Sequence, residues 1–283
     1  MKKLSVKSSY VITALLFSML ASFILFLIFS IKEGFEEKAK KYLDGVDVIY
    51  WINLERSKDR KENMDLLFKD DAFEGIPTQR INAYDGKLEP KTVFDKLVVD
   101  VKKQSDYEYA CFLSHLEAIR TFNESPYNVA LIFEDDVTLK FKKYWKKSVK
   151  EIIDNAPEDW DIIQLSYIYY HQNPDVMFLS WENNPDYDKA YGNYYSNLSY
   201  IINKNGSHKL LNIYRNNKYY PFQNIANVSD VYLFQLTNAY TYKYPMFIYK
   251  TNNNSTIHQD HVSYHDASKK IIEDNYKKMV EKK

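Results

Sequence analysis

An apolar strand that ends in three acids constrains this chain more than any other feature. Residues 131–133 are apolar, and Glu134, Asp135 and Asp136 follow them directly. Because strand side chains alternate between two faces, Glu134 and Asp136 should point to one side and Asp135 to the other. Two carboxylates on one side repel each other, and a hard divalent cation, Mn²⁺ or Mg²⁺, would relieve that repulsion and recruit phosphates. The alternative interpretation is a solvated strand end whose acids cap the next helix.

Strands and helices alternate along most of the chain. β-Branched and aromatic runs predict strands at Val46–Leu54, Gln79–Ala83, Asn128–Phe133, Trp160–Leu165, Leu198–Ile202 and Met246–Tyr249. Apolar residues at three- or four-residue spacing predict helices between them, including Tyr109–Phe122, Lys142–Asn155 and Val231–Leu236. This order predicts an α/β fold with a mostly parallel sheet flanked by helices, whose ligands bind at the carboxyl ends of the strands.

Two segments lack such a pattern. Tyr167 to Tyr195 is rich in tyrosine, asparagine and proline, which predicts a long functional loop. After Asp266 the lysine-rich terminus predicts a frayed, solvated helix. We therefore expect one folded domain at residues 46–268 and a charged C-terminal tail at 269–283.

The N-terminus predicts a membrane anchor. Val11 to Ile31 contains no charged residue, and about 20 such residues suffice for a helix to cross a bilayer. We predict a cytoplasmic tail at 1–9, a transmembrane signal-anchor helix at 10–31 and a stalk at 32–45, with a cleaved signal peptide as the alternative. Lysines before the run place the N-terminus in the cytoplasm. The result is a single-pass type II protein whose domain is lumenal, as in the ER or Golgi, or lies at a comparable cell or virion membrane.

Composition narrows the function classes. Lysine plus arginine and aspartate plus glutamate both number 38, so no net charge attracts nucleic acid. The single cysteine, Cys111, excludes an intrachain disulfide and lies among helical apolar residues, which predicts a buried, inert thiol. Sequons predict a glycoprotein if the domain is lumenal, although an asparagine-rich chain forms many by chance; they begin at Asn123, Asn197, Asn205, Asn227, Asn253 and Asn254. No sequence feature predicts an oligomeric state.

Several segments match one family together, in order and in spacing: residues 48–60 (VIYWINLERSKDR), 80–86 (RINAYDG), 111–115 (CFLSH), 130–137 (ALIFEDDV), 160–163 (WDII) and 229–232 (SDVY). From Val46 to His265 the chain resembles glycosyltransferase family 25, which includes lipooligosaccharide and procollagen galactosyltransferases. The resemblance implies a GT-A-type, Rossmann-like catalytic domain, a nucleotide-diphosphate sugar donor, Mn²⁺ or a similar ion, and inversion at the anomeric carbon.

The resemblance assigns donor and metal roles. Glu134 and Asp136 would hold the cation, or Glu134 would instead accept hydrogen bonds from the donor ribose. The donor site would take its other residues from the first strand–helix turn, the Asp-Gly turn and the long helix, namely Asn53, Arg56, Arg60, Asp85, Ser114 and His115. The alternatives are ordinary ion pairs at a helix start for the arginines, a plain turn at Asp85, and helix packing for Ser114 and His115.

Displacement at a sugar carbon also needs a base near the acceptor hydroxyl. Asp230 is the first-turn acid of the family-like SDVY segment and is our candidate, with helix capping after a Ser229 N-cap as the alternative. His258 is the candidate for the remaining metal ligand. It lies close to His261 and His265, and the three could share a zinc site or belong to a solvated polar tail.

The sequence therefore predicts a membrane-anchored glycosyltransferase. It would transfer a hexose, galactose or glucose, from a UDP-sugar to a glycan or a hydroxylated protein acceptor. The alternative is a catalytically inactive, anchored glycan-binding protein that stacks sugars on tyrosines of the long loop, at Tyr169, Tyr170, Tyr191 and Tyr195. A metal phosphohydrolase is disfavoured because the second acid and histidine cluster of a two-metal site is absent from the sequence.

Overall fold

The computed structural model describes residues 19–20, 22–24, 41–169, 177–250 and 262–281. The chain divides into two units, Met1–Lys41 and Tyr42–Lys283. In the first unit residues 19–20 and 22–24 are helical, and the rest of the predicted transmembrane helix lies outside the described residues. Where the chain is described, no helix has both the length and the apolar character needed to cross a bilayer.

The second unit alternates strands and helices. Its strands are β1 Val48–Asn53, β2 Thr78–Asn82, β3 Val129–Glu134, β4 Val137–Thr138, β5 Ile162–Gln164, β6 Ile168–Tyr169, β7 Tyr187–Lys189, β8 Tyr194–Tyr195, β9 Ser199–Asn203, β10 Tyr214–Arg215, β11 Lys218–Tyr219, β12 Ala239–Tyr242 and β13 Ile248–Tyr249. Its α-helices are α1 Lys58–Leu67, α2 Pro90–Lys96, α3 Asp106–Glu124, α4 Val149–Asp154, α5 Lys204–Leu211, α6 Ser229–Leu236 and α7 Val262–Glu281. Short 3₁₀ turns lie at Asp71–Phe73, Lys142–Tyr144 and Met177–Leu179.

A seven-stranded sheet in the order β2-β1-β3-β9-β5-β12-β7 forms the centre. The strands β2, β1, β3, β5 and β12 run in one direction, which confirms the predicted α/β class and the mostly parallel sheet. β9 lies between β3 and β5 and runs antiparallel to both, and β7 is antiparallel to β12. The sequence did not predict these reversals, because apolar periodicity identifies a strand without giving its direction.

Side chains of the central strands alternate between two cores, as the period of a strand requires. In β1, Ile49 and Trp51 enter one core, whereas Val48 and Tyr50 enter the other. α3 covers the second face with a fully buried apolar stripe, so the prediction that this helix packs on a sheet is confirmed. A capping box between Ser105 and Glu108 fixes where α3 begins.

The predicted long loop at Tyr167–Tyr195 is wrong. β6 pairs with β8 inside this segment, and Phe178 and Trp181 join the first core. Tyr169 is only 2% exposed and packs against Tyr194, so it cannot stack on a sugar. The sequence was misleading because these strands are too short to show alternation, and a buried cluster of tyrosines has the same composition as an exposed loop.

The predicted C-terminal tail at 269–283 is also wrong, because α7 crosses its boundary and packs on the domain. Ile272 and Tyr276, four residues apart, are buried in the first core. The ring of Tyr276 stacks on Tyr144 at 4.7 Å between centroids. The sequence prediction failed because the apolar stripe of α7 is narrow and most of the other residues in this helix are charged or polar. The predicted helix at Lys142–Asn155 is shorter than expected, since Ser148 starts α4 with its own capping box.

The predicted stalk at 32–45 ends inside the fold. Leu43 is buried in the first core, and the carbonyl of Tyr42 accepts a hydrogen bond of 2.8 Å from the amide of Val149. The domain therefore begins a few residues before β1, and the rest of the stalk lies outside the described residues.

Candidate active site

The three acids lie at the carboxyl end of β3, and the middle one faces into the fold. Asp135 is buried and accepts hydrogen bonds from Asn53 Nδ2 at 2.6 Å and from Arg60 Nη1 at 2.7 Å. The other N–H of Asn53 donates to the carbonyl of Ser57, and its oxygen accepts from Arg80. Asn53 and Arg60 were predicted to contact the donor. In the structure both hold Asp135 in place, and Asn53 also holds the residue before α1.

Asp136 lies in surroundings that disfavour its charge. Burial, and then the charge of Glu134, raise its pKa to about 7, although Arg60 Nη1 opposes the shift from 3.9 Å. Its Oδ1 atom is buried and has no hydrogen-bond partner within the part of the chain that the structure describes. An unpartnered carboxylate oxygen beside a second acid fits the chemistry of a divalent cation ligand.

Glu134 meets α3 on the other side of the strand end. Its Oε1 lies 3.2 Å from Nε2 of His115, and Nδ1 of His115 lies 3.1 Å from the hydroxyl of Tyr200 on β9. His115 is almost fully buried, whereas the side chain of Glu134 is 35% exposed. Tyr200 thus contacts one ring nitrogen of His115, and the other nitrogen contacts the partly exposed Glu134.

Ser114 and the Asp-Gly turn hold the adjacent segment. Ser114 Oγ donates to the carbonyl of Ala110 and accepts from the amide of Tyr84 at 2.9 Å. Asp85 accepts from the amides of Lys87 and Leu88, which confirms the predicted turn. The same carboxylate pairs with Arg56 Nε at 2.5 Å.

Gly86 explains why this turn lies so close to α3. A Cβ atom there would come within 2.3 Å of the carbonyl oxygen of Asp106 in the first turn of the helix. Only glycine permits this approach.

Asp230 lies in the first turn of α6. Its two carboxylate oxygens accept from the amides of Ser196 and Val231, each at 2.9 Å. Burial raises the pKa of Asp230, and these backbone hydrogen bonds moderate the rise. The N-cap of α6 is Val228 and not Ser229 as predicted, so Ser229 begins the helix instead of capping it.

The amide that faces Asp230 belongs to a strained connection between β8 and β9. Ser196 has φ +94°, a conformation that L-residues rarely adopt. Gln164 on β5 holds this connection, because its Nε2 donates to the carbonyls of Tyr195 at 2.8 Å and Ser196 at 2.6 Å. Thr241 donates to the oxygen of the same amide at 2.6 Å. Sequence reasoning missed Gln164, since its partners lie more than 30 residues away.

Asn197 follows Ser196 and is a second residue that the sequence did not single out. It is 4% exposed, yet neither polar atom of its amide has a hydrogen-bond partner among the described residues. Its neighbour Leu198 accepts from the backbone amide of Glu134 at 3.0 Å, so Asn197 lies beside the acid edge. As a sequon, buried Asn197 is inaccessible to a glycan, and so is buried Asn227.

Cys111 is closer to the site than predicted. Its sulfur lies 3.6 Å from Ser229 Oγ, and the ligand atoms of Cys111, His115 and Glu134 all lie within 4.8 Å of one another. Burial, and then the charge of Glu134, raise the pKa of the thiol above its usual value. The raised pKa keeps the thiol protonated, but Cys111 is only partly buried and not fully buried as predicted, and its sulfur lies close to Glu134.

The structure thus brings predicted residues from four parts of the chain to one edge of the sheet. Asn53 and Arg60 come from the first strand and helix, His115 from α3, and the acids from β3. Asp230 from α6 is close enough to Glu134 for the two charges to interact. The predicted metal ligand His258 lies outside the described residues.

Comparisons with known proteins agree on one family. A family model described as "Glycosyltransferase family 25 (LPS biosynthesis protein)" matches residues 46–226. Procollagen galactosyltransferase 2 of Homo sapiens is 27% identical over 188 residues, which cover 60% of this chain and 28% of that protein. A glycosyltransferase 25 family member of Aedes aegypti is 27% identical over 270 residues, covering 87% of this chain and 42% of its own length. The chain thus spans less than half the length of these curated relatives.

Similarity to solved structures is weak. A crystal structure of the galactosyltransferase LgtC with donor and acceptor sugar analogs covers 80% of this chain and 95% of its own at 9% identity, with a TM-score of 0.31. A similarity of this size supports no argument about the site. The family match covers every predicted site residue except Asp230 and His258, which lie beyond residue 226.

Proposed function

Because this chain belongs to glycosyltransferase family 25, we propose that its folded domain transfers a hexose from a UDP-sugar to a hydroxyl of a glycan or a hydroxylated protein. The reaction is metal-dependent and inverts the anomeric carbon. Galactose is the first candidate for the hexose and glucose the second, since relatives of the chain are named procollagen galactosyltransferases. The GT-A-type fold that the family resemblance implies belongs to the same proposal.

The observation that carries the proposal is the unpartnered, buried Oδ1 of Asp136 beside Glu134. These two carboxylates would hold Mn²⁺ or Mg²⁺, with His258 as the candidate for a further ligand. Bound there, the cation would neutralise charge on the departing diphosphate. Asp135 does not take part, because Arg60 and Asn53 already satisfy its oxygens.

Asp230 is the proposed base. It takes the proton of the acceptor hydroxyl while that oxygen attacks the anomeric carbon and the bond to the diphosphate breaks. Burial raises its pKa, which makes the carboxylate a better proton acceptor near neutral pH. The amides of Ser196 and Val231 fix its orientation and leave lone pairs on both oxygens for the proton.

The first strand and helix form the proposed donor side. Arg60 is partly exposed and lies next to Asp136, so its guanidinium can contact the diphosphate while it holds Asp135. Arg56 and Asp85 form a partly exposed ion pair at the same edge, in reach of the nucleoside. Ser114 and His115 hold this side in place, through the amide of Tyr84 and the carboxylate of Glu134 respectively.

Membrane attachment is a separate part of the proposal. The charge-free run from Val11 to Ile31 supports it, and so does the exposure of the large apolar side chains described within it, Met19, Leu20, Phe23 and Ile24. The protein would then be a single-pass type II membrane protein with a lumenal domain.

A donor panel tests the activity. The detergent-solubilised full chain is incubated with UDP-galactose, UDP-glucose or GDP-mannose, with Mn²⁺, with Mg²⁺ or with EDTA, and nucleotide release is measured. We expect release from one UDP-hexose in Mn²⁺ or Mg²⁺ and none in EDTA. Equal release in EDTA would refute the metal role, and no release from any donor, with a model glycan or hydroxylysine peptide present, would refute the transferase.

A further inference from the structure

Three potential metal ligands of mixed chemistry meet beside the proposed active site. Cys111 and His115 are four residues apart on α3 and so lie on one face of the helix, and Glu134 approaches them from the end of β3. The three ligand atoms lie within 4.8 Å of one another, and His115 Nε2 is 3.2 Å from Glu134 Oε1. Ligand atoms around a tetrahedral Zn²⁺ lie roughly 3.3–3.7 Å apart, from its bond lengths of about 2.0–2.3 Å. Small side-chain movements would close the difference.

The surroundings of His115 suit a metal ligand. Its Nδ1 lies 3.1 Å from the hydroxyl of Tyr200, which is fully buried. A tautomer protonated at Nδ1 donates to that oxygen and leaves the Nε2 lone pair for a metal. Metal-binding histidines usually make such a hydrogen bond through the nitrogen that does not bind the metal. α3 and β9 are both core elements, so His115 is held rigidly.

We propose that Cys111, His115 and Glu134 bind Zn²⁺ or a chemically similar cation, and that this ion inhibits the enzyme by occupying Glu134. Binding forms a metal–sulfur bond and releases the thiol proton to solvent. A thiolate with an imidazole selects Zn²⁺ or Cd²⁺, whereas the oxygen pair of Glu134 and Asp136 selects Mn²⁺ or Mg²⁺. The two sites share one carboxylate, so they compete. Only the inhibition depends on the proposed function.

Co²⁺ absorption tests the binding. The untagged full chain in detergent is titrated with Co²⁺ and then with Zn²⁺. Because the chain has one cysteine, a sulfur-to-cobalt charge-transfer band reports Cys111 alone. We expect this band in the wild type, its loss when Zn²⁺ displaces Co²⁺, and its absence in Cys111→Ser. Co²⁺ binding without the band, including binding at the C-terminal histidines, would overturn the site.

Matched variants identify the other ligands. Cys111→Ser and His115→Gln should each weaken Zn²⁺ binding by about 100-fold or more, because loss of an outer partner alone costs about 10–100-fold. Tyr200→Phe removes such an outer partner, so it should weaken Zn²⁺ binding by only about 10–100-fold. His208→Gln changes an exposed histidine on α5 and should bind as the wild type does. Should Cys111→Ser fold poorly, Cys111→Ala serves in its place. Unchanged Zn²⁺ affinity in a folded Cys111 variant would refute the proposal.

Inhibition is measured apart from binding. Turnover in Mn²⁺ is followed with increasing Zn²⁺, and each variant is compared with its own uninhibited rate. We expect at least about 10-fold less sensitivity to Zn²⁺ in Cys111→Ser than in the wild type, and equal sensitivity of the two would refute the inhibitory role. If no donor is turned over but the Cys111 band is present, the proposed function is refuted and the Zn²⁺ site is supported. If a donor is turned over but the band is absent, the Zn²⁺ site is refuted and the proposed function is supported.

Discussion

Asp135 and Asp136 are adjacent in the chain but have opposite electrostatic surroundings. Asp135 faces Arg60 and Asn53, and each of its oxygens accepts a hydrogen bond from one of them. Asp136 interacts electrostatically with Glu134, and one of its oxygens is buried without a partner among the described residues. Both residues lie in the turn between β3 and β4, so the difference is set by this turn and not by the strand alternation on which the sequence prediction rested. This difference makes Asp136 the position where a charge-neutral substitution is most informative.

Asp136→Asn keeps the shape of the side chain and removes its charge. We expect kcat/KM to fall by about 10³-fold, which corresponds to about 4 kcal/mol of transition-state stabilisation, because a cation ligand is lost. The melting temperature should not fall, since repulsion with Glu134 is also removed. Asp65→Asn, at an exposed position of α1, is the control and should retain full activity. Unchanged turnover in a folded Asp136→Asn protein would eliminate the metal role.

The raised pKa of Asp136 also predicts a pH dependence of stability. A carboxyl with a pKa of about 7 in the folded protein and 3.8 as its ordinary value binds its proton more tightly when folded. Its contribution to the free energy of unfolding is therefore present below about pH 4 and is lost as the pH rises to about 7.

Melting temperatures measured in EDTA from pH 4 to 8 check this prediction. The wild type should lose stability relative to Asp136→Asn over that range. Mn²⁺ should restore stability more at pH 7.5 than at pH 5, because the cation favours the ionised carboxylate. Parallel curves for the two proteins in EDTA would contradict the shift.

The connection between β8 and β9 illustrates what the sequence could not provide. The acids, the strand β3 and the helix α3 were predictable, because their patterns are local and strong. Gln164 was not, because it acts through carbonyls that become its neighbours only after β5 and β9 pair. Three further features depend on contacts between distant parts of the chain and were not predictable for the same reason. They are the direction of β9, the burial of tyrosines in 167–195 and the packing of α7.

Gln164→Leu tests the positioning of Asp230. The free energy of unfolding should fall by about 1–3 kcal/mol, because two carbonyls and the hydroxyl of Thr241 lose their partner. The acid limb of the profile of kcat/KM against pH should move to higher pH, since a displaced Ser196 amide no longer lowers the pKa of Asp230. Gln235→Leu, at an exposed position of α6, should change neither. Lost stability with an unmoved pH profile would leave Gln164 a purely structural residue.

The C-terminal helix α7 is part of the core, and single truncations along it can show this. Ile272→Ala should lower the free energy of unfolding by about 2–5 kcal/mol, because it opens a cavity at a fully buried position. Val280→Ala, which lies on the same helix and is 52% exposed, should change it by less than about 0.5 kcal/mol. Chemical denaturation measures both. Equal, small effects would mean that the helix is a solvated tail, as the sequence alone predicted.

The chain as a whole assembles its site from widely separated segments. Asn53 and Arg60, the acids at 134–136, Ser196 and Asp230 meet at one edge of a single sheet. All of them belong to the unit Tyr42–Lys283. This unit therefore contains every described residue of the proposed chemistry, and membrane attachment is the role that we propose for the segment before it.

Deletion of residues 1–41 tests that division of roles. The full chain should stay with membranes through high-salt and alkaline washing, because an apolar span of about 20 residues is held by the bilayer itself. The chain that starts at Tyr42 should appear in the supernatant with the same melting temperature and the same donor turnover. Release of the full chain by salt alone would contradict the anchor, and a lower melting temperature of the shorter chain would show that the first unit supports the fold.

The reversed strand β9 has a consequence for synthesis on the ribosome. β1, β2 and β3 can pair as soon as they emerge, but β5 joins that sheet only through β9, which is made some 35 residues later. Until then the nascent chain presents open strand edges on β3 and β5, the kind of surface that recruits other chains. Both edges are open at once while residues 165–199 are made, so we expect chaperones to matter most in this interval.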